Sequence, residues 1–244
     1  MSAPPPPPPP HPSSAAAGAT QAALLDAAEA LFSERGYAGV STREIVENAG
    51  ANIAAIKYHF GSKQGLYLAV LRRAMSRPES DEIWSVLPLD ASAASPEQAA
   101  TAIARLIHGF LAHIIDEASS DTAPSLLCRE AFEPSAAFGD VVEEYIKPRT
   151  ERIEATIRVL VPDACDDRIR ALGQGILGMV LHYKSFYEIQ SRLWLGTDPS
   201  RTRVQLIAQT LAGFSLRGLG CGEALVDSVL SAIAVDASAD QETR

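Results

Sequence analysis

The side chains whose types and spacing could do chemistry are concentrated in residues 41–60, STREIVENAGANIAAIKYHF. The chemistry they suit is recognition of nucleic acid. Ile53, Ile56 and Phe60 fall at i, i+3 and i+7, so they can anchor a two-turn helix to its neighbours. Asn52, Ala54, Ala55, Lys57, Tyr58 and His59 are left on other faces. Small residues let such a helix sink into a major groove, and the longer polar ones can then reach base edges or phosphates. Thr42, Arg43 and Lys63 stand at the starts of the flanking helices. Free N–H groups and the helix dipole favour phosphate there, and such contacts position a module without reading sequence.

These residues need a scaffold, and the surrounding pattern predicts one. Leu24, Ala28, Leu31 and Phe32 line one face of a first helix, with Thr20 able to cap its start and Gly36 its end. Ser41 and Glu44 have capping-box spacing at the start of a second helix. Gly50 breaks that helix, Asn52 can cap the third, and Gly61 ends it. Ser62 can cap a fourth helix that runs toward Arg77 and stops at Pro78. Two short helices joined by a tight turn at Gly50-Ala51 make a helix-turn-helix, although spacing alone also fits an ordinary helical hairpin.

The segment from Ala23 to Leu71 resembles the DNA-binding domain of the tetracycline-repressor (TetR) family. The matching features are Glu34-Arg35-Gly36-Tyr37, Ser41-Thr42-Arg43-Glu44-Ile45, Ala49-Gly50 and Tyr58-His59-Phe60-Gly61-Ser62-Lys63. One position departs: many members carry an aromatic where this chain has Lys57. Further on, LLCREAFEPS (Leu126–Ser135) and YIKPRTERIEATI (Tyr145–Ile157) are similar to the CecR-like branch. The resemblance implies an all-α homodimer, usually a repressor, released from a palindromic operator by a small effector. By analogy the dimer interface falls on helices at about 166–195 and 200–217. Ile169, Leu172, Gly173, Ile176, Leu177 and Val180 give the first an apolar stripe, and Val204, Ile207, Leu211 and Phe214 the second. An intramolecular core would use the same stripes.

The chain therefore divides into a Pro-rich arm (1–18), expected to be disordered or polyproline II, a helix-turn-helix domain (19–77), a helical regulatory and dimerisation domain (78–234) and a flexible tail (235–244). Residues 79–95 read as a connector. Amphipathic segments follow at 97–118, 124–133, 138–160, 166–195, 200–217 and 222–234, with Pro148 expected to kink or split its helix. Polar side chains within these helices are candidates for an effector site: His108, Arg129, His182 and Tyr183 first, then His113, Glu130 and Tyr187, although Arg129 and Glu130 fit structural ion pairs better and His182 fits a satisfied core histidine as well. His108 and His113 are five apart, off the i, i+4 spacing of a helical metal site, so neither metal nor cofactor is expected.

Composition limits the alternatives. The net charge of −9 argues against a nucleic-acid partner, but its distribution does not. Residues 1–77 hold seven Lys/Arg against five Asp/Glu, and the excess acid lies in the remainder. Three cysteines without a CxxC pair fit a reducing cytoplasm, with Cys128 read as a small buried hydrophobe before a redox sensor. No apolar run approaches a membrane span, and the N-terminus does not read as a signal peptide. An enzyme is not expected, because nucleophile elbow, phosphate loop and HExxH are all missing. A helical ligand-binding protein without specific DNA binding, or an activator, stays open.

Overall fold

A computed structural model describes residues 14–115, 123–195 and 201–242, and all regular structure among them is helical. Four helices build the N-terminal module: α1 (Ser14–Arg35), α2 (Thr42–Asn48), α3 (Ile53–Phe60) and α4 (Lys63–Met75). The local signals account for their ends. Gly36, Gly50 and Gly61 follow α1, α2 and α3 at φ of 71°, 60° and 75°, a left-handed backbone that glycine adopts without steric cost. Ser41, Asn52 and Ser62 each accept a backbone N–H at a helix start. Thr20 lies inside α1, not at its start: α1 begins at Ser14, so the last residues assigned to the arm are helical. The rest of the arm, residues 1–13, lies outside the described residues.

Among the described residues nine α-helices follow: α5 (Pro78–Ser85), α6 (Pro96–Ile115), α7 (Ala123–Phe132), α8 (Phe138–Val141), α9 (Lys147–Leu160), α10 (Asp166–Ser185), α11 (Tyr187–Gln190), α12 (Arg201–Gly218) and α13 (Glu223–Glu242). Two expectations change here, and the division expected around Pro148 takes a definite form. The supposed connector contains α5, with Pro78 in its first turn, where a missing N–H costs nothing. Pro148 sits in the first turn of α9, just after the segment divides. The chain runs from α8 into α9 through a π-turn at Val142–Ile146, and this wider spacing absorbs the bond that proline cannot donate. The backbone expected to fray after Asp236 continues helical to Glu242.

Two hydrophobic clusters organise the molecule. The larger is centred on α6, with Ile103, Ile107 and Leu111 packed among Ile153, Ile157, Ile169, Ile176, Ile207, Leu216 and Val226. By length and composition alone α6 could cross a bilayer, but its apolar side chains form this core. The smaller cluster gathers Leu24, Phe32, Ile45, Ile56, Leu66, Tyr67 and Val70 of the N-terminal module. It is completed from outside by Leu126 of α7, Ala137 just before α8 and Val141 of α8, all fully buried. The two regions thus share a packed seam.

The stripe on α10 faces inward. Ile169, Ile176 and Val180 are buried in the larger cluster, and Gly173 lies against Ile153 and Ile157 of α9. Ile207 of α12 is buried as well. The intramolecular alternative holds for these residues, because they meet α6 and α9 within one chain. Phe214 is the exception, at 66% exposure.

Candidate functional site

The reading helix is built from its cap upward. Asn52 Oδ1 accepts the Ala54 N–H at 2.9 Å, which fixes the start of α3 and leaves the Asn52 amide NH₂ as a donor. Ile56 is buried in the N-terminal cluster, and Ala55 and Phe60 pack against it. Ile53, expected as an anchor, is instead 53% exposed. The outward stripe is therefore Ile53, Ala54, Lys57 and Tyr58, at i, i+1, i+4 and i+5. Ala55 leaves the expected reading face for the core side. His59 is half-buried between the rings of Tyr58 and Phe60. Lys57 is exposed and has no ion-pair partner among the described residues.

The preceding helix is held firmly. Glu44 Oε2 accepts from the Ser41 N–H at 2.8 Å and the Ser41 hydroxyl at 2.7 Å, while Ser41 Oγ accepts the Glu44 N–H. Arg35 pairs with the other carboxylate oxygen at 2.8 Å. The Ser41 N–H is the largest influence, followed by the Ser41 hydroxyl and Arg35, and together they hold the Glu44 carboxyl down at about 2. Thr42 is half-exposed at the first position of α2, and Arg43 projects beside it, bonded to Glu47 at 2.9 Å. Lys63 is less free than its position suggests. Its ammonium donates to the Tyr37 carbonyl at 2.6 Å and lies 4.2 Å from the Tyr37 ring centroid. Burial lowers its pKa. It fastens the α1–α2 loop and keeps two further N–H donors.

The local excess of positive charge is directed mostly elsewhere. Arg73 and Arg77 bind the buried carboxylate of Glu29, and Arg73 also holds Asp26 at 2.7 Å. Arg72 makes a two-pronged contact with Glu144, at 2.6 and 2.9 Å, across the seam. These arginines brace the module, and Arg43, Lys57 and Lys63 remain as cations of the helix-turn-helix itself.

A cavity of about 300 Å³ lies at the seam between the two clusters. Its wall is mainly apolar: Met75, Ile83, Trp84, Phe110, Leu127, Phe132, Phe138, Ile146 and Leu177 are among the lining residues. Its polar groups are few, namely His113, Cys128, Tyr145, Arg149, Thr150 and Ser185. None of the four first-choice effector residues lines it. Arg129 reaches the Glu34 carbonyl at the end of α1, and its side chain lies against Gly36. His182 is exposed, 2.7 Å from the Gln190 amide nitrogen and stacked on Phe186. Tyr183 packs on the larger cluster, and burial raises its pKa. His108 is half-buried on α6, which lowers its pKa. Of the second-choice candidates, only His113 reaches the cavity.

Glu130 proves to be a joint. Its carboxylate is 1% exposed and accepts the Tyr67 hydroxyl at 2.6 Å, the Ser135 N–H at 3.0 Å and the Ser135 hydroxyl at 3.0 Å. Burial, then this bond, pushes the Tyr67 phenol upward. Helix α7 thus carries Leu126, Arg129 and Glu130 toward the N-terminal module, and Leu127, Cys128, Ala131 and Phe132 toward the cavity. Arg149, which the sequence reading did not single out, is the cation of the cavity wall. Only its spacing from Tyr145, one helical turn earlier, hinted at a shared face.

Comparison with known proteins agrees with this division. Residues 24–70 match the model for bacterial regulatory proteins of the tetR family. Residues 99–219 match the C-terminal domain of the HTH-type transcriptional dual regulator CecR. The chain is 32% identical over 200 residues to CecR of Shigella flexneri, covering 77% of this chain and 86% of that protein. Among solved structures, AibR in complex with isovaleryl coenzyme A and operator DNA superposes with a TM-score of 0.58 at 18% identity, over 80% of this chain and 97% of that one. HlyIIR, a hemolysin II transcriptional regulator, superposes at 0.54 with 23% identity, over 80% and 98%. This chain belongs to the TetR family of DNA-binding transcription regulators, which are not enzymes, and within it is CecR-like.

Proposed function

We propose that the protein is a cytoplasmic, effector-responsive repressor that binds a palindromic operator as a homodimer. The observation that carries this reading is the outward stripe of α3, in a chain whose family binds DNA operators. Ile53 and Ala54 offer apolar contact for thymine methyl groups, and Asn52, Lys57 and Tyr58 offer donors to base edges or phosphate. Thr42, Arg43 and Lys63 would hold the backbone on either side. Ala55 and His59 would support the helix from behind.

The dimer would use faces that the monomer leaves uncovered. On α10 these are Gly175, Gly178 and Leu181, where a Cβ built on either glycine would point into open space. On α12 they are Leu206, Thr210 and Phe214, and Phe186, Ile189 and Trp194 extend the surface. Apolar exposure on this scale favours association. A twofold pair would set its reading helices about 34–36 Å apart, one turn of duplex. The effector would enter the seam cavity, where α7 touches both ligand and module. AibR, whose structure holds an acyl thioester and operator together, supports such linkage.

Selection of bound fragments from a random DNA pool, at fixed salt, tests the reading. An enriched palindrome is expected, with affinity falling steeply as salt rises, by about −0.9 in log–log slope per phosphate contact. A flat salt response without an enriched site would support the ligand-binding alternative. Phe214→Glu should yield monomers by sedimentation that no longer bind the full palindrome.

A further inference from the structure

We propose that the seam cavity takes a free carboxylic acid with an apolar body, its carboxylate held by Arg149. This rests on the reading of the cavity as the effector site. Among the described residues, Arg149 is the only arginine or lysine lining the cavity, and no aspartate or glutamate lines it. Its side chain is 18% exposed. A guanidinium in a mainly apolar wall favours an anion and opposes an amine.

The protein does not use the full binding capacity of this group. One terminal nitrogen donates to the Met75 carbonyl at 3.2 Å and to Asp81 Oδ1 at 3.1 Å; the other donates to the Tyr145 carbonyl at 3.1 Å. Two of the five N–H donors therefore have no acceptor among the described residues. The one acidic partner, Asp81, is 65% exposed, so water shares its charge. The guanidinium also lies 5.6 Å from both the Trp84 and Tyr145 ring centroids, which holds its plane in place. A carboxylate can meet one edge of this planar fork with two parallel bonds by taking the place of one acceptor on the nitrogen shared by Met75 and Asp81. A coenzyme A thioester has no carboxylate at that carbonyl and brings several phosphate charges, for which the lining supplies one permanent cation.

The same arginine connects the ligand to the DNA-reading module. Met75 is the last residue of α4, and its side chain belongs to both the cavity wall and the N-terminal core. A carboxylate that draws Arg149 toward itself competes with the Met75 carbonyl and loosens the end of α4.

Calorimetric titration with decanoate and 4-phenylbutyrate, their primary amides and decanoyl-coenzyme A tests the assignment. At least one acid should bind about tenfold or more tightly than its amide, the worth of a charge-assisted bond. Arg149→Met should abolish that preference, and Arg149→Lys should restore part of it. Equal binding of acid and amide, binding of the thioester alone, or no binding by either acid would overturn the proposal. If Arg149→Met does not fold, the acid–amide comparison on the unaltered protein still decides. Operator titration with the bound acid separates the two readings. An acid that binds through Arg149 without weakening operator binding upholds the ligand assignment and removes the effector function. Operator binding with no acid preference does the reverse.

Discussion

Helices α3 and α7 are both short and both two-faced, but their second faces differ. In α3, Ile56 goes into the core and Ile53, Ala54, Lys57 and Tyr58 go to solvent. In α7, Leu126 and Glu130 go into the N-terminal module and Leu127 and Phe132 line a cavity. One helix presents a surface; the other joins two interiors. A presented surface tolerates substitution without loss of fold, whereas a joint transmits any change to both sides.

Substitutions can break or sharpen this contrast. The largest effect is expected from Ile56→Ala. Loss of a fully packed aliphatic side chain destabilises by about 2–5 kcal/mol, so chemical unfolding should shift and operator binding should fall with it. Unchanged unfolding would mean that α3 is not pinned through Ile56. Next comes the joint. Glu130→Ala leaves the buried Tyr67 hydroxyl and the Ser135 groups without their acceptor, at about 1–3 kcal/mol. Combined with Tyr67→Phe in a double-mutant cycle, it should give a coupling energy of about 0.5–3 kcal/mol, and strict additivity would show that the two residues do not act together.

Ser41→Ala should cost about 1 kcal/mol by removing the cap of α2. Its partner Glu44 gives this contact a pH signature. The folded carboxyl titrates at about 2 against an ordinary 4.5. Its contribution is therefore present above about 4.5 and is lost as pH falls toward 2. The stability gap between the natural protein and Glu44→Gln should close over that window, and a constant gap would contradict the bonding described. Lys57→Ala should have the smallest effect on folding, within about 0.5 kcal/mol, yet it should weaken operator binding. If Lys57 meets phosphate, the salt slope should also drop by about 0.9. Unchanged affinity at matched salt would remove Lys57 from the contacts.

The contrast also explains which parts were legible in the sequence. The caps at Ser41, Asn52 and Ser62 and the breaks at Gly36, Gly50 and Gly61 depend on neighbours within four residues, so they could be read directly. Ile53 was misplaced because its period fits either face and only the tertiary packing of α3 decides. The cavity lining was hidden from the sequence for a related reason. Polar groups inside apolar helices suit a ligand or a structural contact alike, and spacing does not separate the two: Arg129 and Glu130 serve the joint, and His182 meets Gln190. The cavity wall is made of aromatic and aliphatic side chains indistinguishable in sequence from core. Arg149 is at the site because α4, α5 and α9 converge on it, which no local pattern records.

The burial of Leu126, Ala137 and Val141 in the N-terminal cluster bears on how regulators of this kind could be recombined. A hybrid cut at residue 77, with the reading head of one protein on the body of another, would leave that head resting on a foreign socket. Grafts that carry α7 and α8 along with the head should express as folded proteins more readily than grafts that stop where the chain first leaves the head.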